Sequence, residues 1–234
     1  MDFARYVFAP PYWGWLCRGL GMTLIIGITS GLGSALLGFL VLRCYLSPNR
    51  LFRATGACYV MVFRNLPLLP LLLFLAFGLP EIWRQIGWGA FPRGLELALL
   101  LLGLSFNTGA YLAEILRAGA EAVAPSQTEA ARTLGLMPGT IRRRVVYPQA
   151  VRIMAPALAS RFIHNMKNST LALVVPLPLE SMELLGQAGR IAGQTFSWAE
   201  PLIFVTSVYL LLAHGLGRLL NYWAANEHAR ILAA

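Results

Sequence analysis

Long apolar runs with few charges constrain this chain more than any other feature of its sequence. Residues 19–42 form one such run and contain no charged side chain. Across the chain, hydrophobic residues make up 57% and charged residues only 12%, whereas soluble domains carry about a quarter charged residues. A run of about 20 apolar residues is long enough to cross a bilayer as a helix. The sequence therefore predicts an all-α integral membrane protein.

Five segments are predicted to span the membrane, at residues 19–42, 54–78, 94–116, 150–166 and 196–220. Arginines gather beside these segments, as with Arg43, Arg50 and Arg53, and loops that stay in the cytoplasm carry an excess of such residues. This bias places the N-terminus outside and the C-terminus in the cytoplasm. It also explains the net charge of +9 without nucleic-acid binding.

The predicted domain organisation is simple. Residues 1–18 carry several aromatic side chains and are interpreted as an outer segment at the membrane interface. Residues 19–222 form a single transmembrane domain, with a cytoplasmic loop at 124–148, and residues 223–234 form a cytoplasmic tail. Residues 80–93 are predicted to be an outer loop.

The loop at 124–148 contains residues that are typical of the start and the end of a short helix. Ser126 and Glu129 have the spacing of a capping box, which satisfies free amides at a helix start. Ala130 and Ala131 give the helix a smooth side suited to a groove on another protein, and Gly135 is the residue type that ends helices in a left-handed conformation. The alternative interpretation is a solvated loop whose arginines only fix topology.

Polar residues interrupt the second predicted span and directly follow the fourth. Arg64, Asn65 and Pro67 lie in the second, and charges at membrane depth usually face protein or water. Either the proline kinks the helix and its freed carbonyls satisfy Arg64, or these residues lie beside a translocation path. Directly after the fourth span, an ammonium, an amide and two hydroxyls are candidates for lining a wet path for a zwitterion: Lys167, Asn168, Ser169 and Thr170.

Two further features lie outside this candidate path. Glu114 and Arg117 are three residues apart on one helix face, and we interpret them as a structural clamp. Residues 180–194 are amphipathic and are predicted to lie flat outside the membrane, where they would contact a soluble partner.

Motifs for catalysis and metal binding are missing from the sequence. It contains no Walker motif, no His or Cys cluster with metal-ligand spacing and no serine in a nucleophile elbow. We therefore predict no catalytic residue, no metal site and no cofactor bound by this chain.

Glu129-Ala130-Ala131, then Gly135, then 145–148 resemble the EAA loop of ABC importer permeases. The intervals match residue for residue, and Val145 and Tyr147 stand where the family has Ile and Leu. Three further phrases resemble its polar amino acid branch, at residues 63–68, 110–119 and 167–170.

This resemblance implies the type I importer permease fold, with a cytoplasmic coupling helix that is pulled by an ATPase. It assigns that coupling role to six residues: Ser126, Glu129, Ala130, Ala131, Gly135 and Pro148. The implied partners are an ABC ATPase dimer that holds ATP and Mg, a second permease subunit, identical or homologous, and a periplasmic or surface substrate-binding protein. The implied location is the bacterial inner membrane, and the implied substrates are glutamate and aspartate or a broad range of amino acids.

Two other classes of protein remain open from the residues alone. A channel or an ion-coupled secondary transporter would have an inverted repeat or an acidic residue deep in a span. A membrane scaffold would use the loop at 124–148 only to recruit a partner. Copurification of an ATPase separates the first interpretation from both alternatives.

Overall fold

A computed structural model describes residues 2–92 and 94–232, and over these residues it contains helices and connecting turns but no strand. Met1 of the predicted outer segment and residues 233–234 of the predicted tail lie outside the described part. The α-helices, in chain order, are α1 (Tyr12–Tyr45), α2 (Arg50–Asn65), α3 (Leu68–Leu73), α4 (Leu79–Gln85), α5 (Leu95–Glu121), α6 (Pro125–Thr133), α7 (Pro138–Ile141), α8 (Tyr147–Asn168), α9 (Leu184–Thr195) and α10 (Ala199–Leu232).

Four stretches of helix in the described chain are long and apolar enough to cross a membrane: Tyr12–Tyr45, Leu68–Gln85, Leu95–Glu121 and Ala199–Leu220. The fifth long helix is α8, whose 22 residues extend about 33 Å at 1.5 Å per residue. Because α8 carries Arg152, Arg161 and Lys167, it is less apolar than the others and must turn these charges towards protein or water.

The second predicted span differs from the expectation in two ways. Helix α2 ends at Asn65, and Leu66 and Pro67 have extended backbone before α3 begins at Leu68. The proline therefore separates two helices, instead of kinking one. The helical course then continues through a π-helical turn, Phe74–Gly78, into α4, which ends at Gln85. The prediction of an outer loop at 80–93 was wrong for residues 80–85, because Pro80 lies in the first turn of a helical segment, where proline is tolerated. Residues 86–92 have no helical structure.

Helix α1 packs closely along α5, and this is the most extensive helix pair in the described structure. Gly38 shows why small residues are needed there. A Cβ atom added to Gly38 would lie 2.9 Å from the Cβ of Leu112, which is too close for two carbons. Small residues let helix backbones approach where apolar packing alone must hold them together.

A buried polar junction joins α8 to this pair. The side-chain amide of Asn165, which is fully buried, donates to the carbonyl of Gly27 at 3.0 Å and to the hydroxyl of Ser30 at 2.9 Å. Its carbonyl oxygen accepts from the Thr108 hydroxyl at 3.0 Å. Because buried polar groups without partners are costly, this satisfied network fixes how α8 sits against α1 and α5.

Helix α9 lies almost entirely within residues 180–194, which are predicted to lie outside the membrane and to contact a soluble partner. It packs against α1 and α10 of this chain. Leu184, Ala188 and Ile191 are completely or almost completely buried in one apolar cluster. Its preceding residue, Glu183, is only 1% exposed. The amphipathic pattern was read correctly, but its apolar face is covered by this chain itself.

Candidate functional site

The loop between α5 and α8 forms an exposed helix followed by a tight stop. Helix α6 ends in a Schellman motif, in which the Gly135 amide donates to the Arg132 carbonyl at 2.9 Å and the Leu136 amide donates to the Ala131 carbonyl at 3.2 Å. Gly135 has φ +75°, in the left-handed region that glycine favours. The structure therefore confirms the prediction that Gly135 ends α6 in a left-handed conformation.

The start of α6 differs from the predicted capping box. Helix α6 begins at Pro125, and its N-cap residue is Ala124, which has no capping side chain. Pro125 occupies a first-turn position, where its missing amide costs nothing. Ser126 is therefore already inside the helix and two residues beyond Ala124, the position from which a hydroxyl would cap. The Ser126–Glu129 capping box is corrected accordingly.

The six residues predicted to couple to an ATPase are not all available to a partner. Ser126, Glu129, Ala130 and Gly135 are exposed. Ala131 is only 5% exposed, because α6 folds back on α7 and on the π-helical turn Arg142–Val146. Pro148 is half-buried in the first turn of α8. The exposed residues of the loop therefore lie mainly on α6. The residues after α6 pack against it and lead directly into α8.

Deeper in the bundle, a group of polar side chains from three helices surrounds Tyr111. We call Arg64, Asn107, Tyr111 and Arg161 the arginine cluster. The guanidinium of Arg161, from α8, lies 3.7 Å from the Tyr111 ring centroid, and that of Arg64, from α2, lies 5.4 Å from it. Arg161 also donates to the Asn107 side-chain oxygen at 3.0 Å. Two positive groups therefore share one aromatic ring.

Hydrogen bonds to the backbone hold this cluster at the end of α2. The Asn107 amide donates to the Phe63 carbonyl at 2.9 Å, and the Tyr111 hydroxyl donates to the Arg64 carbonyl at 3.2 Å. Both carbonyls lie in the last turn of α2, close to the break at Pro67. Because α2 ends here, these two carbonyls have no acceptor role within the helix, and side chains of α5 donate to them instead.

A second ionic group lies beside the cluster, towards the loop end of the bundle, meaning the end that carries residues 122–146. Arg117 holds Glu114 through two hydrogen bonds, of 2.6 and 3.1 Å, and holds Glu121 at 2.6 Å. Arg64 reaches the same Glu114 carboxylate at 3.8 Å. These charges line a cavity of about 470 Å³ between α2 and α5. Glu114 therefore links the predicted clamp to Arg64.

The residues predicted after the fourth span have mixed surroundings. Lys167 is exposed, while Asn168 and Thr170 are half-buried. Ser169 is fully buried and donates to the Met166 carbonyl at 2.7 Å, and Thr170 donates to the Lys167 carbonyl at 2.8 Å. Because both hydroxyls are used locally, Lys167 and Asn168 are the two side chains of this group with free polar capacity.

The structure does not bring the two predicted path segments together through polar contacts. Asn65 bonds only within α2, to the Met61 carbonyl at 2.7 Å, and Pro67 is exposed. Sequence reasoning missed Asn107, Tyr111 and Arg161 as partners of Arg64. The available signal was a charged residue, Arg161, within an otherwise helical span, but its partner lies 54 residues away in sequence.

One further feature of the cluster bears on ligands. The Nε atom of Arg161 is buried and has no hydrogen-bond partner in the described structure. A buried donor without a partner costs about 1–3 kcal/mol. The single carboxylate near the cluster, Glu114, is already engaged by Arg117. The cluster therefore holds more positive charge than its own acidic groups balance.

These features define a helical membrane subunit of a transporter, with an exposed loop helix at one end and a charged cluster where α2, α5 and α8 meet. The chain belongs to the family described as "Binding-protein-dependent transport system inner membrane component", whose model matches residues 18–224. It is thus a membrane-embedded, non-catalytic subunit of an ABC transporter.

Individual relatives agree with this assignment. The chain is 31% identical over 198 residues to the probable amino-acid ABC transporter permease protein YckA of Bacillus subtilis, covering 83% of this chain and 81% of the relative. It is 31% identical over 215 residues to the arginine transport system permease protein ArtQ of the same organism, covering 91% and 90%. These matches confirm the resemblance to permeases of amino acid ABC transporters.

Solved structures agree on the fold. The chain is similar to a chain in the crystal structure of an amino acid ABC transporter with histidines, with a TM-score of 0.81 and 30% identity over 92% of this chain and 95% of the other. A chain of the MetNI methionine ABC transporter in an inward-facing conformation has the same fold, with a TM-score of 0.71 at 20% identity and coverage of 94% and 99%. The predicted fold class, a type I importer permease, is confirmed.

Proposed function

We propose that this chain carries polar amino acids through the bacterial inner membrane as one permease subunit of an ATP-driven importer. The observation that carries the proposal is the excess positive charge around Tyr111, where Arg64 and Arg161 face one ring and the Arg161 Nε lacks a partner. Every amino acid has an α-carboxylate, and guanidinium groups bind carboxylates strongly through paired hydrogen bonds. Relatives named as amino acid permeases support the same cargo.

Acidic or broad-range amino acids are the substrates we favour within that class. Arg64 and Arg161 offer two guanidinium groups, and Lys167 offers an exposed ammonium further along α8. A second carboxylate on the substrate would add a further charge-assisted bond. The half-buried Asn168 amide group is the neutral polar partner in this path. Asn65, Pro67, Ser169 and Thr170 then shape the backbone of the path.

Coupling to ATP hydrolysis is proposed to run through α6. Its exposed residues, Glu129 and Ala130, would seat in a groove of a separate ATPase, which binds ATP and Mg and closes as a dimer. Because α6 is tied through Arg142–Val146 to α8, a pull on α6 moves α8, which carries Arg161. The ion-paired residues Glu114 and Arg117 stiffen α5 during that movement. Alternating access of the path follows from this rocking.

The proposed assembly contains more chains than this one. One chain supplies one loop helix, and an ATPase dimer offers two grooves, so a second permease, identical or homologous, completes the transporter. A periplasmic or surface binding protein delivers the amino acid. The proposed orientation places the N-terminus outside and the loop end of the bundle in the cytoplasm, with Arg43, Arg50 and Arg53 on that side.

The test is ATP hydrolysis and amino acid uptake by the complex reconstituted in vesicles with its binding protein. Glu129→Arg reverses an exposed charge on α6 and is expected to reduce substrate-stimulated hydrolysis and uptake by about tenfold or more, a loss of about 1.4 kcal/mol in coupling free energy. Glu180→Arg makes the same reversal at an exposed position near α9 and is expected to leave both activities unchanged.

Arg161→Gln tests the substrate side of the proposal separately. It should raise the KM for uptake strongly while ATPase association is kept, because it removes a cation and leaves α6 intact. If no ATPase associates with the chain, or if uptake follows an ion gradient without ATP, the importer proposal fails in favour of a scaffold or an ion-coupled transporter. If Glu129→Arg and Glu180→Arg behave alike, α6 is not the coupling element.

A further inference from the structure

A cavity of about 740 Å³ lies at the loop end of the bundle, between the last turn of α1, the last turn of α5 and the first turns of α8. Its floor is apolar and includes Leu116 and Met154, while Arg43 and Arg142 stand at its rim. The lining contains no Asp or Glu. No residue of the arginine cluster and no residue of α6 lines this cavity, so the proposed transport cycle does not account for it.

An exposed apolar stripe on α1 leads into this cavity. The side chains are spaced by three or four residues, so they share one helix face, and each is at least half exposed: Ile25 at 50%, Ile28 at 54%, Leu32 at 68%, Leu36 at 61% and Phe39 at 52%. The stripe runs about 21 Å along the helix axis, which exceeds the ~15 Å half-thickness of a bilayer's hydrocarbon core. Phe39 itself lines the cavity.

The charged rim continues the same pattern. Arg43 follows Phe39 by four residues and is therefore on the same face of α1, one turn closer to the membrane surface. Arg142 faces it from the start of the π-helical turn that joins the loop to α8. Both are exposed, and neither has an ion-pair partner in the part of the chain that the structure describes.

We propose that this cavity binds an anionic phospholipid, with the phosphate between Arg43 and Arg142 and an acyl chain along the α1 stripe. The cavity combines an apolar floor, a longer apolar stripe on α1 and two arginines among its lining residues, which match the acyl chains and the phosphate of such a lipid. Basic pockets between transmembrane helices on the cytoplasmic side recognise lipid head groups in this way. A soluble anion would bind Arg43 and Arg142 but would not contact the apolar stripe on α1.

The proposal has a structural consequence. Arg142 begins the π-helical turn that leads from the loop into α8, while Arg43 lies in the last turn of α1. A phosphate held by both bridges the outer helix to the moving coupling segment. On the orientation proposed above, this site faces the cytoplasmic leaflet, whose anionic lipids attract segments that carry Lys or Arg.

The experiment compares lipid binding by the purified permease–ATPase complex, using native mass spectrometry with phosphatidylglycerol and phosphatidylcholine of identical acyl chains. Two guanidinium contacts predict that the native complex retains phosphatidylglycerol about thirtyfold better than phosphatidylcholine. The double variant Arg43→Gln/Arg142→Gln should lose that preference. The matched control, Arg5→Gln/Arg18→Gln, removes two exposed arginines at the opposite end of the bundle and should keep it.

A second variant tests the apolar part without changing charge. Val151→Trp adds a large side chain at a cavity-lining position that is 45% exposed, and it should weaken binding of both lipids. A photoreactive phosphatidylglycerol should label peptides from residues 39–48 and 147–154 in the native complex. Equal retention of both lipids, preference retained in the double variant, or a second protein chain crosslinked over this cavity in place of lipid would each overturn the proposal.

Discussion

Two short helices connect the long helices of this protein, and they are covered in opposite ways. Helix α6 lies on the outside of the bundle, with Ala131 as its one buried residue. Helix α9 buries six of its residues against the rest of the chain. Both are amphipathic in sequence, yet α9 is packed into the fold, whereas most of the surface of α6 stays exposed and available to a partner protein. The difference separates a segment held by its own chain from a segment whose stability depends on a partner.

The ends of the two helices repeat this contrast. The Glu183 carboxylate caps α9 by accepting from the amides of Leu185 at 2.6 Å and Gly186 at 2.7 Å, and it also accepts from the Tyr209 hydroxyl at 2.8 Å. Helix α6 has no side-chain cap at its start. Its best-defined feature is instead the stop at Gly135. Thus α9 is anchored through side chains of other helices, and α6 through backbone geometry.

Truncating the core of α9 should have the largest effect. Ile191 is fully buried in the cluster that α9 forms with α1 and α10, so Ile191→Ala should destabilise the protein by about 2–5 kcal/mol. Leu134→Ala, at a residue 79% exposed beside α6, should change stability by less than about 0.5 kcal/mol. Thermal unfolding in detergent measures both. Equal shifts in the two variants would mean that α9 is not integral to the fold.

Removing the cap of α9 should have the next largest effect. Glu183→Ala leaves two backbone amides and the Tyr209 hydroxyl without their acceptor, and unsatisfied buried groups cost about 1–3 kcal/mol. Glu183→Gln keeps one side-chain oxygen and should cost less. The same unfolding assay ranks the two variants. If Glu183→Ala is as stable as the native protein, the carboxylate contributes no net stability and the cap is incidental.

The stop of α6 should respond locally and more weakly. Gly135→Ala places a side chain at φ +75°, which costs about 1–2 kcal/mol, whereas Gly139→Ala lies in α7 with open space around it and should be neutral or stabilising by about 0.4–1 kcal/mol. Hydrogen exchange of residues 125–137 measures the difference. Faster exchange is expected only for Gly135→Ala, and no change in it would contradict the Schellman motif as the element that orders α6.

Sequence reasoning succeeded where the signal is local. The apolar runs predicted the helical membrane fold, and Gly135 predicted the end of α6. It failed where a long-range partner decides the outcome. The amphipathic pattern of α9 says that one face is covered but not by what, and the chain's own α1 and α10 cover it. Similarly, Arg161 marked a non-lipid face of α8, but nothing local indicated that Tyr111 and Asn107 would meet it.

The same reasoning applies to the second span. A kink at Pro67 is one of the two alternatives that the sequence leaves open, because a proline inside a helical pattern either bends or ends the helix. The structure ends the helix, and side chains from α5 occupy the carbonyls of Phe63 and Arg64. Which outcome occurs depends on whether a neighbouring helix supplies donors at that height, and this is a property of packing, not of the local sequence.

The start of α6 gives the smallest predicted effect and the sharpest test of the contrast with α9. Since Ala124 is the N-cap residue and no side chain caps α6, Ser126→Ala should reduce local stability by less than about 0.5 kcal/mol. Asn49→Ala is the positive control, because the Asn49 side chain accepts from the Leu51 amide at 2.8 Å at the start of α2, and losing such a cap costs about 0.5–2 kcal/mol. Hydrogen exchange of the first turn of each helix measures both. A cost of about 1 kcal/mol or more for Ser126→Ala, matched by Glu129→Ala, would mean that a capping box forms in solution and that α6 is held by its own side chains, as α9 is.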